Sequence, residues 1–320
     1  MQKFWIYLPG IGMAACSGNT AKNMAGGVWQ AKLHRTDGAD IVFNFEVKDT
    51  AGKKVLYVLN AADKLLVDEV KVSGDSLFIK MPFFDSEFKT RLVSDSALEG
   101  VWVRHLADKD VSAPFSAVAG KAERFPVTAP AAADVSGRWV TQFVSSKDAN
   151  KAPSTAIGEF KQSGNTVHGT FLTTTGDYRF LDGVVDGDTL RLSTFDGSHA
   201  YLFTAFVGKD SITGGRFYAG AGDGLQYWTA VKNDTATLPD ERTIVTMKPG
   251  QQQLDFAFPD MNGQKVSIKD DRFKDKVVII TLMGSWCPNC MDETGYLSNW
   301  YKKNKDRGVE VIGLAYERTP

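Results

Sequence analysis

Cysteine and histidine are scarce in this sequence of 320 residues, which holds only three cysteines and four histidines. The histidines lie far upstream of the paired cysteines and follow no ligand spacing; they are His34, His105, His168 and His199. A structural zinc site needs about four such ligands at short spacings. The sequence therefore predicts no metal site.

Excess charge and long apolar runs are also absent from the sequence. The formal net charge is −1, and no basic patch with interleaved aromatic residues occurs, so we expect no nucleic-acid partner. No apolar stretch reaches the roughly 18 residues that a membrane-spanning helix needs. No glycine-rich loop is followed by a helical pattern that would cradle a phosphate, so we expect no cofactor.

The N-terminus has the pattern of an export signal. A short basic start with Lys3 is followed by a brief apolar stretch, which Pro9-Gly10 interrupts, and then by Met13-Ala14-Ala15-Cys16. Small residues before a cysteine resemble a lipobox and predict a lipoprotein signal over residues 1–16, with lipid on the sulfur of Cys16. The alternative is an ordinary secretory signal with an incidental cysteine. In the first case, we expect a lipid-anchored protein that faces the periplasm of a Gram-negative-type bacterium.

Residues 24–236 alternate between apolar and polar positions, as in Ile41–Val47 and Tyr201–Thr204, with turn signals such as Ser73-Gly74-Asp75 between the runs. This alternation is typical of half-buried β-strands. A long helical periodicity is absent from this part of the sequence. We therefore predict that it is all-β.

Markers in the β-rich part recur with a period of about 110 residues. Gly27-Val28-Trp29 corresponds to Gly137-Arg138-Trp139, and Gly74-Asp75-Ser76-Leu77 corresponds to Gly187-Asp188-Thr189-Leu190. The sequence thus predicts two barrel- or sandwich-like repeats of about eight strands each, over residues 21–126 and 134–236. A packed interior is favoured over a ligand cavity. A Pro/Ala-rich linker at 126–135 and a polar linker at 233–251 separate the parts.

A motif with reactive side chains lies near the C-terminus, where the sequence reads Gly284-Ser285-Trp286-Cys287-Pro288-Asn289-Cys290. Two thiols at this spacing can close and reopen a small disulfide ring. The first lies at a predicted helix start, where free backbone N–H groups and the helix dipole favour a thiolate. The segment predicts thiol–disulfide exchange.

The flanks of this motif predict a strand–helix–strand unit. Val277–Met283 is a continuous apolar and β-branched run, typical of a strand that is covered on both faces, and Val309–Ala315 is a second such run. The residues from Pro288 to about Asp306 have helical spacing, with proline in the first turn and Gly308 at the helix stop. The two strands should be parallel, with the cysteines at the carboxyl end of the first.

These residues, together with Leu254–Asp260 and Gly263–Ser267, resemble the envelope thioredoxins of the TlpA-like or redoxin (AhpC/TSA) type. The resemblance covers about residues 252–320. It implies that Cys287 attacks and that Cys290 is a buried resolving thiol, with the two forming a redox-active disulfide. It also implies supporting positions at Trp286, Pro288 and Glu293. Thr281 replaces a buried acid that many thioredoxins have six residues before the first cysteine.

The resemblance implies an incomplete thioredoxin-like α/β domain over residues 252–320, because Pro320 follows directly after the second predicted strand. The family's cis-proline would lie beyond that point. The overall expectation is therefore a multidomain chain of two all-β repeats and a truncated thioredoxin-like domain.

Three functions are compatible with the sequence. The first is an envelope-anchored thiol–disulfide oxidoreductase, whose partners would be protein disulfide or dithiol substrates and an upstream electron donor. The second is a β-repeat binding or scaffold lipoprotein with an inactive redoxin segment. The third, a thiol peroxidase, is less favoured, because Gly284 and Ile280 occupy positions where peroxiredoxins have threonine and proline.

Overall fold

The structure is a computed structural model that describes residues 23–82, 84–106, 109–148, 150–222, 224–244, 246–285 and 287–317. Two large antiparallel sheets come first, and a short α/β segment follows them. This confirms the predicted fold class of two barrel-like all-β sheets before a redoxin-like segment. The predicted signal over residues 1–16, with Cys16, lies outside the described residues.

The first sheet is a meander whose first and last strands pair with each other. Its nine strands follow the order β4-β3-β2-β1-β9-β8-β7-β6-β5. They are β1 (Gly27–Leu33), β2 (Ile41–Thr50), β3 (Lys53–Asn60), β4 (Asp63–Val67), β5 (Glu69–Ser73), β6 (Ser76–Lys80), β7 (Ser86–Ser94), β8 (Ala97–His105) and β9 (Asp110–Ala119). The sheet curls but does not close, because β4 and β5 form its two edges.

The strands of the second sheet follow one another along the sheet as those of the first do. This sheet closes into a ring, however, because β11 pairs with both β10 and β12. Its order is β11-β10-β18-β17-β16-β15-β14-β12-β13. The strands are β10 (Gly137–Ser145), β11 (Ser154–Ser163), β12 (Thr166–Thr173), β13 (Gly176–Asp177), β14 (Leu181–Asp186), β15 (Thr189–Phe195), β16 (Ala200–Val207), β17 (Ser211–Ala219) and β18 (Gly224–Lys232). Each sheet has nine strands where we expected about eight.

The tryptophans that marked the repeat occupy matching places. Trp29 and Trp139 are both 0% exposed and lie on the first strand of their sheets. Trp29 Nε1 donates to the carbonyl of Ala25 at 3.0 Å, and Trp139 Nε1 donates to the carbonyl of Val135 at 2.8 Å, four residues earlier in both cases. The alternate positions that follow also point inward, as the two-residue period of a strand requires.

The two sheets share a core where the turn between β15 and β16 enters the first sheet. The Phe195 ring is 0% exposed and stacks on Phe43 at 4.2 Å between ring centroids. Trp102 Nε1 and Ser86 Oγ both donate to the carbonyl of Gly197, at 3.2 and 2.6 Å. The residue ranges given above for the repeats therefore remain a proposed division, since the sheets pack as neighbours with a common interior.

The predicted linkers are ordered parts of the structure. In the first linker, the backbone N–H groups of Thr128 and Ala129 each donate to Asp186 Oδ1 at 2.8 Å. These hydrogen bonds from two backbone groups lower the pKa of Asp186. In the second linker, a short helix, α1 (Glu241–Ile244), interrupts the chain.

The C-terminal segment contains two small sheets and one long helix. A hairpin of β19 (Ala257–Pro259) and β20 (Lys265–Ser267) comes first. Strand β21 (Val277–Met283) then pairs in parallel with β22 (Val309–Ala315), and helix α2 (Pro288–Asn304) connects them. A 3-10 turn at Lys305–Arg307 extends the helix, and Gly308, with φ 75°, ends it. These elements confirm the predicted strand–helix–strand order.

The expectation that these two strands are covered on both faces is wrong for the described chain. Leu282 is 76% exposed and Val277 is 66% exposed. The parallel sheet consists of β21 and β22 in the described residues, and α2 is the helix that packs against them. An apolar sequence shows that the side chains of a strand can be buried. They are buried only where a second layer of structure lies against that face of the sheet.

Candidate functional site

The two cysteines lie at the carboxyl end of β21, where the chain turns into α2. Cys287 is the N-cap of the helix, with extended backbone angles, and Pro288 occupies the first helical turn. Proline suits this place because the first helical N–H groups have no partner within the helix. The C-x-x-C therefore lies at a strand-to-helix crossover in the structure, as the sequence predicts.

Cys287 and Cys290 are joined by a disulfide, with 5.2 Å between their Cα atoms. The Sγ of Cys287 accepts a hydrogen bond from the backbone N–H of Cys290 at 3.3 Å. An N–H donor and the positive end of the helix dipole both favour negative charge on this sulfur once the bond is reduced. Both cysteines are half-buried, so Cys290 is more exposed than the buried resolving thiol that the resemblance implied.

Glu317 is a residue of the site that the sequence analysis missed. It follows β22, and its carboxylate accepts hydrogen bonds from both the backbone N–H and the hydroxyl of Ser285, each at 2.8 Å. Ser285 lies two residues before Cys287, so Glu317 holds the loop that leads into the disulfide. The available signal was an acidic residue just after the second of two parallel strands, since the carboxyl ends of such strands share one edge of the sheet.

Glu293 lies one turn beyond Cys290, where its carboxylate contacts the strand below. Thr281 Oγ1 donates to Glu293 Oε2 at 3.1 Å, so the two positions singled out in the sequence meet each other. The neighbouring Thr294 Oγ1 donates to the carbonyl of Cys290 at 2.7 Å. Among the described residues, the hydrogen bonds of Glu293 do not reach either sulfur. Trp286 and the side chain of Pro288 lie outside what the structure describes.

The helix that carries the disulfide contacts the second sheet through its first turns. Arg179, in the loop between β13 and β14, forms an ion pair with Asp292 of α2. Gly176 lies against Asn289, so closely that a Cβ at this glycine would overlap the amide group. Asn289 is one of the two residues between the cysteines. The β body thus touches the dithiol motif itself.

Two more carboxylates lie near the same arginine, the buried Asp196 and the half-buried Asp63. Arg179 Nε lies 3.9 Å from Asp196 Oδ2. Burial raises the pKa of Asp63, and the positive charge of Arg179 opposes this rise. The arginine therefore links three carboxylates, one from each sheet and one from the helix.

No group of three or more His, Cys, Asp or Glu side chains within the described ranges is placed to hold a metal ion. None of the helices that the structure describes is both long and apolar enough to cross a bilayer.

Comparison with known proteins defines the class of the C-terminal segment. Residues 249–319 match the model of the AhpC/TSA family, so this segment is of the thioredoxin-like redoxin type. It is similar to the thiol-disulfide oxidoreductase ResA of Bacillus thuringiensis subsp. konkukian, with 37% identity over 73 residues, 23% of this chain and 41% of that protein. The ResA of Bacillus subtilis is 32% identical over 69 residues, 22% of this chain and 37% of that protein.

The family match over residues 249–319 contains the C-x-x-C and leaves most of the chain outside it. The chain spans about two fifths of the length of the curated relatives it matches. The family match therefore applies to the C-terminal segment.

Solved structures were also compared with the chain. A protein of unknown function from the DUF3598 family of Nostoc punctiforme covers 64% of this chain and 94% of its own, at 12% identity and a TM-score of 0.21. A putative AttH of Nitrosomonas europaea also covers 64% of this chain and 91% of its own, at 7% identity and a TM-score of 0.13. Likeness at these scores carries no argument.

Proposed function

We propose that the chain is a thiol–disulfide oxidoreductase that uses Cys287 and Cys290. The observation that supports this most is a closed disulfide at the N-terminus of a helix, with one sulfur accepting a backbone N–H. The matches to ResA proteins in the C-terminal part agree with this chemistry.

The proposed reaction has two steps. The thiolate of Cys287 attacks one sulfur of a partner disulfide, which forms a mixed disulfide and releases the other partner sulfur as a thiolate. The thiolate of Cys290 then attacks the sulfur of Cys287, which closes the internal disulfide and releases the second partner thiol. Two electrons pass to the partner, whose sulfurs take up two protons, and a dithiol donor must reduce the Cys287–Cys290 bond for the next cycle.

Insulin reduction with dithiothreitol as donor tests this proposal. The chain should accelerate precipitation of the insulin B chain, and Cys287→Ser should abolish the acceleration. Absence of acceleration by the wild-type chain would contradict the proposal and favour the second candidate, a β-repeat binding lipoprotein with an inert redoxin segment.

Peroxide reduction is the alternative within the same family, because the matched family is named for AhpC/TSA. The residues before Cys287 do not have the peroxiredoxin pattern, since Gly284 and Ile280 occupy the two key positions. Hydrogen peroxide consumption should therefore be no faster with the wild-type chain than with Cys287→Ser. Consumption that depends on Cys287 would select the peroxidase.

We further propose that lipid on Cys16 anchors the protein to the envelope of a Gram-negative-type bacterium, facing the periplasm. Small residues directly before Cys16 support this, as does the use of the other two cysteines in one disulfide. Detergent-phase partitioning tests the anchor: the wild type should enter the detergent phase, and Cys16→Ser should remain in the aqueous phase or stay unprocessed. Equal partitioning of both would contradict it.

A further inference from the structure

A cavity of about 1050 Å³ opens at the mouth of the second sheet. We call it the mouth cavity; its lining includes Phe143, Tyr178 and Tyr201, five threonines, and the acidic residues Asp177 and Asp240. Neither lysine nor arginine is present among the described lining residues. The interior beneath it is filled by aromatic side chains, among them Phe171 and Phe203 at 0% exposure, so the cavity is confined to the mouth.

One loop separates the mouth cavity from the disulfide. Residues 173–178 line the cavity, and within them Gly176 lies against Asn289, between the two cysteines. Arg179, the next residue of the loop, is paired with Asp292. A molecule that occupies the cavity is therefore within reach of the first turn of α2, which carries the sulfurs.

We propose that the mouth cavity binds the polypeptide partner of the dithiol as an extended segment. This segment carries an apolar side chain and a basic side chain a few residues from the partner's reacting cysteine. This inference rests on the proposed function. It names a docking surface on the β body, outside the residues that match the redoxin family.

The polar groups of the cavity fit a peptide. The hydroxyls of Tyr178 and Tyr201 have no hydrogen-bond partner among the described residues, and burial raises the pKa of both, so they remain neutral donors for peptide carbonyls. Asp177 and Asp240 each accept one backbone N–H, from Arg179 at 2.7 Å and from Arg242 at 3.0 Å. The second oxygen of each carboxylate has no partner in the described chain and is available to a basic side chain.

Size and charge favour a peptide segment over a compact ligand. Pockets for small molecules usually have volumes of about 300–1,000 Å³ and enclose most of the ligand, whereas this cavity is open and its volume lies just above that range. A second cavity of about 300 Å³ shares Phe143 and Tyr178 with it and is lined by Lys147 and Lys151. The carboxylates of Asp177 and Asp240 line the mouth cavity, and the two lysines line its neighbour.

Peptide binding to the oxidised full-length chain tests the inference without any redox step. The probe is a short fluorescent peptide with phenylalanine and lysine flanking a serine, and the comparison peptide carries serine and glutamate in their place. Fluorescence anisotropy should show binding at least about tenfold tighter for the first peptide. Thr174→Trp, which fills the cavity, should remove that preference. Thr166→Trp, at the other end of β12 and exposed, is the matched control and should retain it.

A second arm separates this inference from the proposed function. The mixed disulfide of cysteine with thionitrobenzoate is too small to need docking, so thionitrobenzoate release by the reduced wild-type chain reports exchange alone. Release without cavity-dependent peptide binding would overturn the inference and leave the proposed function standing. Cavity-dependent binding without release would overturn the proposed function and leave a peptide site. Displacement of an apolar dye from the cavity without peptide binding would identify a small-ligand site and would also overturn the inference.

Discussion

Asp196 is a carboxylate that is 3% exposed and lies in the turn that enters the first sheet. It accepts hydrogen bonds from the backbone N–H groups of Ser198 and His199 at 3.0 and 2.7 Å, and its second oxygen lies 3.1 Å from His199 Nδ1. Burial by itself would raise the pKa of Asp196, but the contacts with His199 and Ser198 outweigh it and lower the pKa below its ordinary value. The charged form is thus part of the folded turn.

Removal of this charge should make the fold less stable at neutral pH. A lowered pKa means that the stabilisation is complete above the ordinary aspartate pKa of about 4 and is lost as the pH falls through the folded-state pKa. We expect Asp196→Asn to lower the free energy of unfolding by about 1–3 kcal/mol near pH 7, with the difference shrinking on acidification. Urea unfolding at several pH values measures this.

The exposed Asp210 offers a matched control, because its side chain has no hydrogen bond among the described contacts. Asp210→Asn should change the unfolding free energy by less than about 0.5 kcal/mol at every pH. A penalty for Asp196→Asn that persists unchanged in acid would contradict the assigned pKa direction.

The turn between β15 and β16 is the element that joins the two sheets. The ring of Phe195, the last residue of β15 before this turn, lies among Phe43, Phe88 and Trp102 of the first sheet, with centroid distances of 4.2, 5.6 and 6.1 Å. The buried Arg124 adds a polar connection, since its Nη1 donates to the carbonyl of Ser193 at 2.9 Å. The first sheet, which does not close, thereby obtains part of its core from the second.

Truncation of Phe195 should affect both sheets at once. Because Phe195→Ala leaves a cavity in a shared core, we expect it to lower the free energy of unfolding by about 3–5 kcal/mol. The control is Phe206→Ala on the next strand, where the ring is 55% exposed and the loss should stay below about 1 kcal/mol. Equal losses for both variants, measured by urea unfolding, would show that the turn is not a core element.

The sequence was informative where structure is local. Strands β21 and β22, the proline at the start of α2 and Gly308 at its end all follow from residue patterns, and so does the alternation of the β-rich part. Two other contacts join residues that are far apart in the sequence. Phe195 packs against Phe43 of the other sheet, and Glu317 accepts a hydrogen bond from Ser285. The contact of Phe195 has no local sequence pattern, and the signal for Glu317 lies in the pairing of two strands rather than in its neighbours in the sequence. The exposure of Leu282 was also unpredictable, since it depends on which layers cover the sheet.

At the scale of the whole molecule, few of the described contacts join the β body to the C-terminal segment. Their described connections include the Arg179–Asp292 ion pair, in which Asp292 is 57% exposed, and the contact of Gly176 with Asn289. Exposed ion pairs contribute only about 0–1 kcal/mol. The two parts should therefore open independently.

Reduction of the disulfide should change amide exchange in the C-terminal segment alone. The chain has its cysteines at positions 16, 287 and 290, and the β body from β1 to β18 contains none. A ring this small contributes about 2 kcal/mol or less, so we expect faster amide exchange in β21, α2 and β22 after reduction and unchanged exchange in β1–β18. Hydrogen exchange with mass spectrometry measures both regions in one sample. Faster exchange throughout the β sheets would mean that the two parts unfold as one unit.

The most direct test of the central claim is the capture of a mixed disulfide. The reduced Cys290→Ser variant is incubated with a disulfide-linked peptide, quenched with acid and analysed by intact and peptide mass spectrometry. The account predicts a stable adduct of one peptide on Cys287, with no adduct on the Cys287→Ser variant treated in the same way, and only transient adduct on the wild-type chain. Absence of an adduct on Cys287, or a stable adduct of equal yield on Cys290 in the Cys287→Ser variant, would contradict the assignment of Cys287 as the attacking thiol.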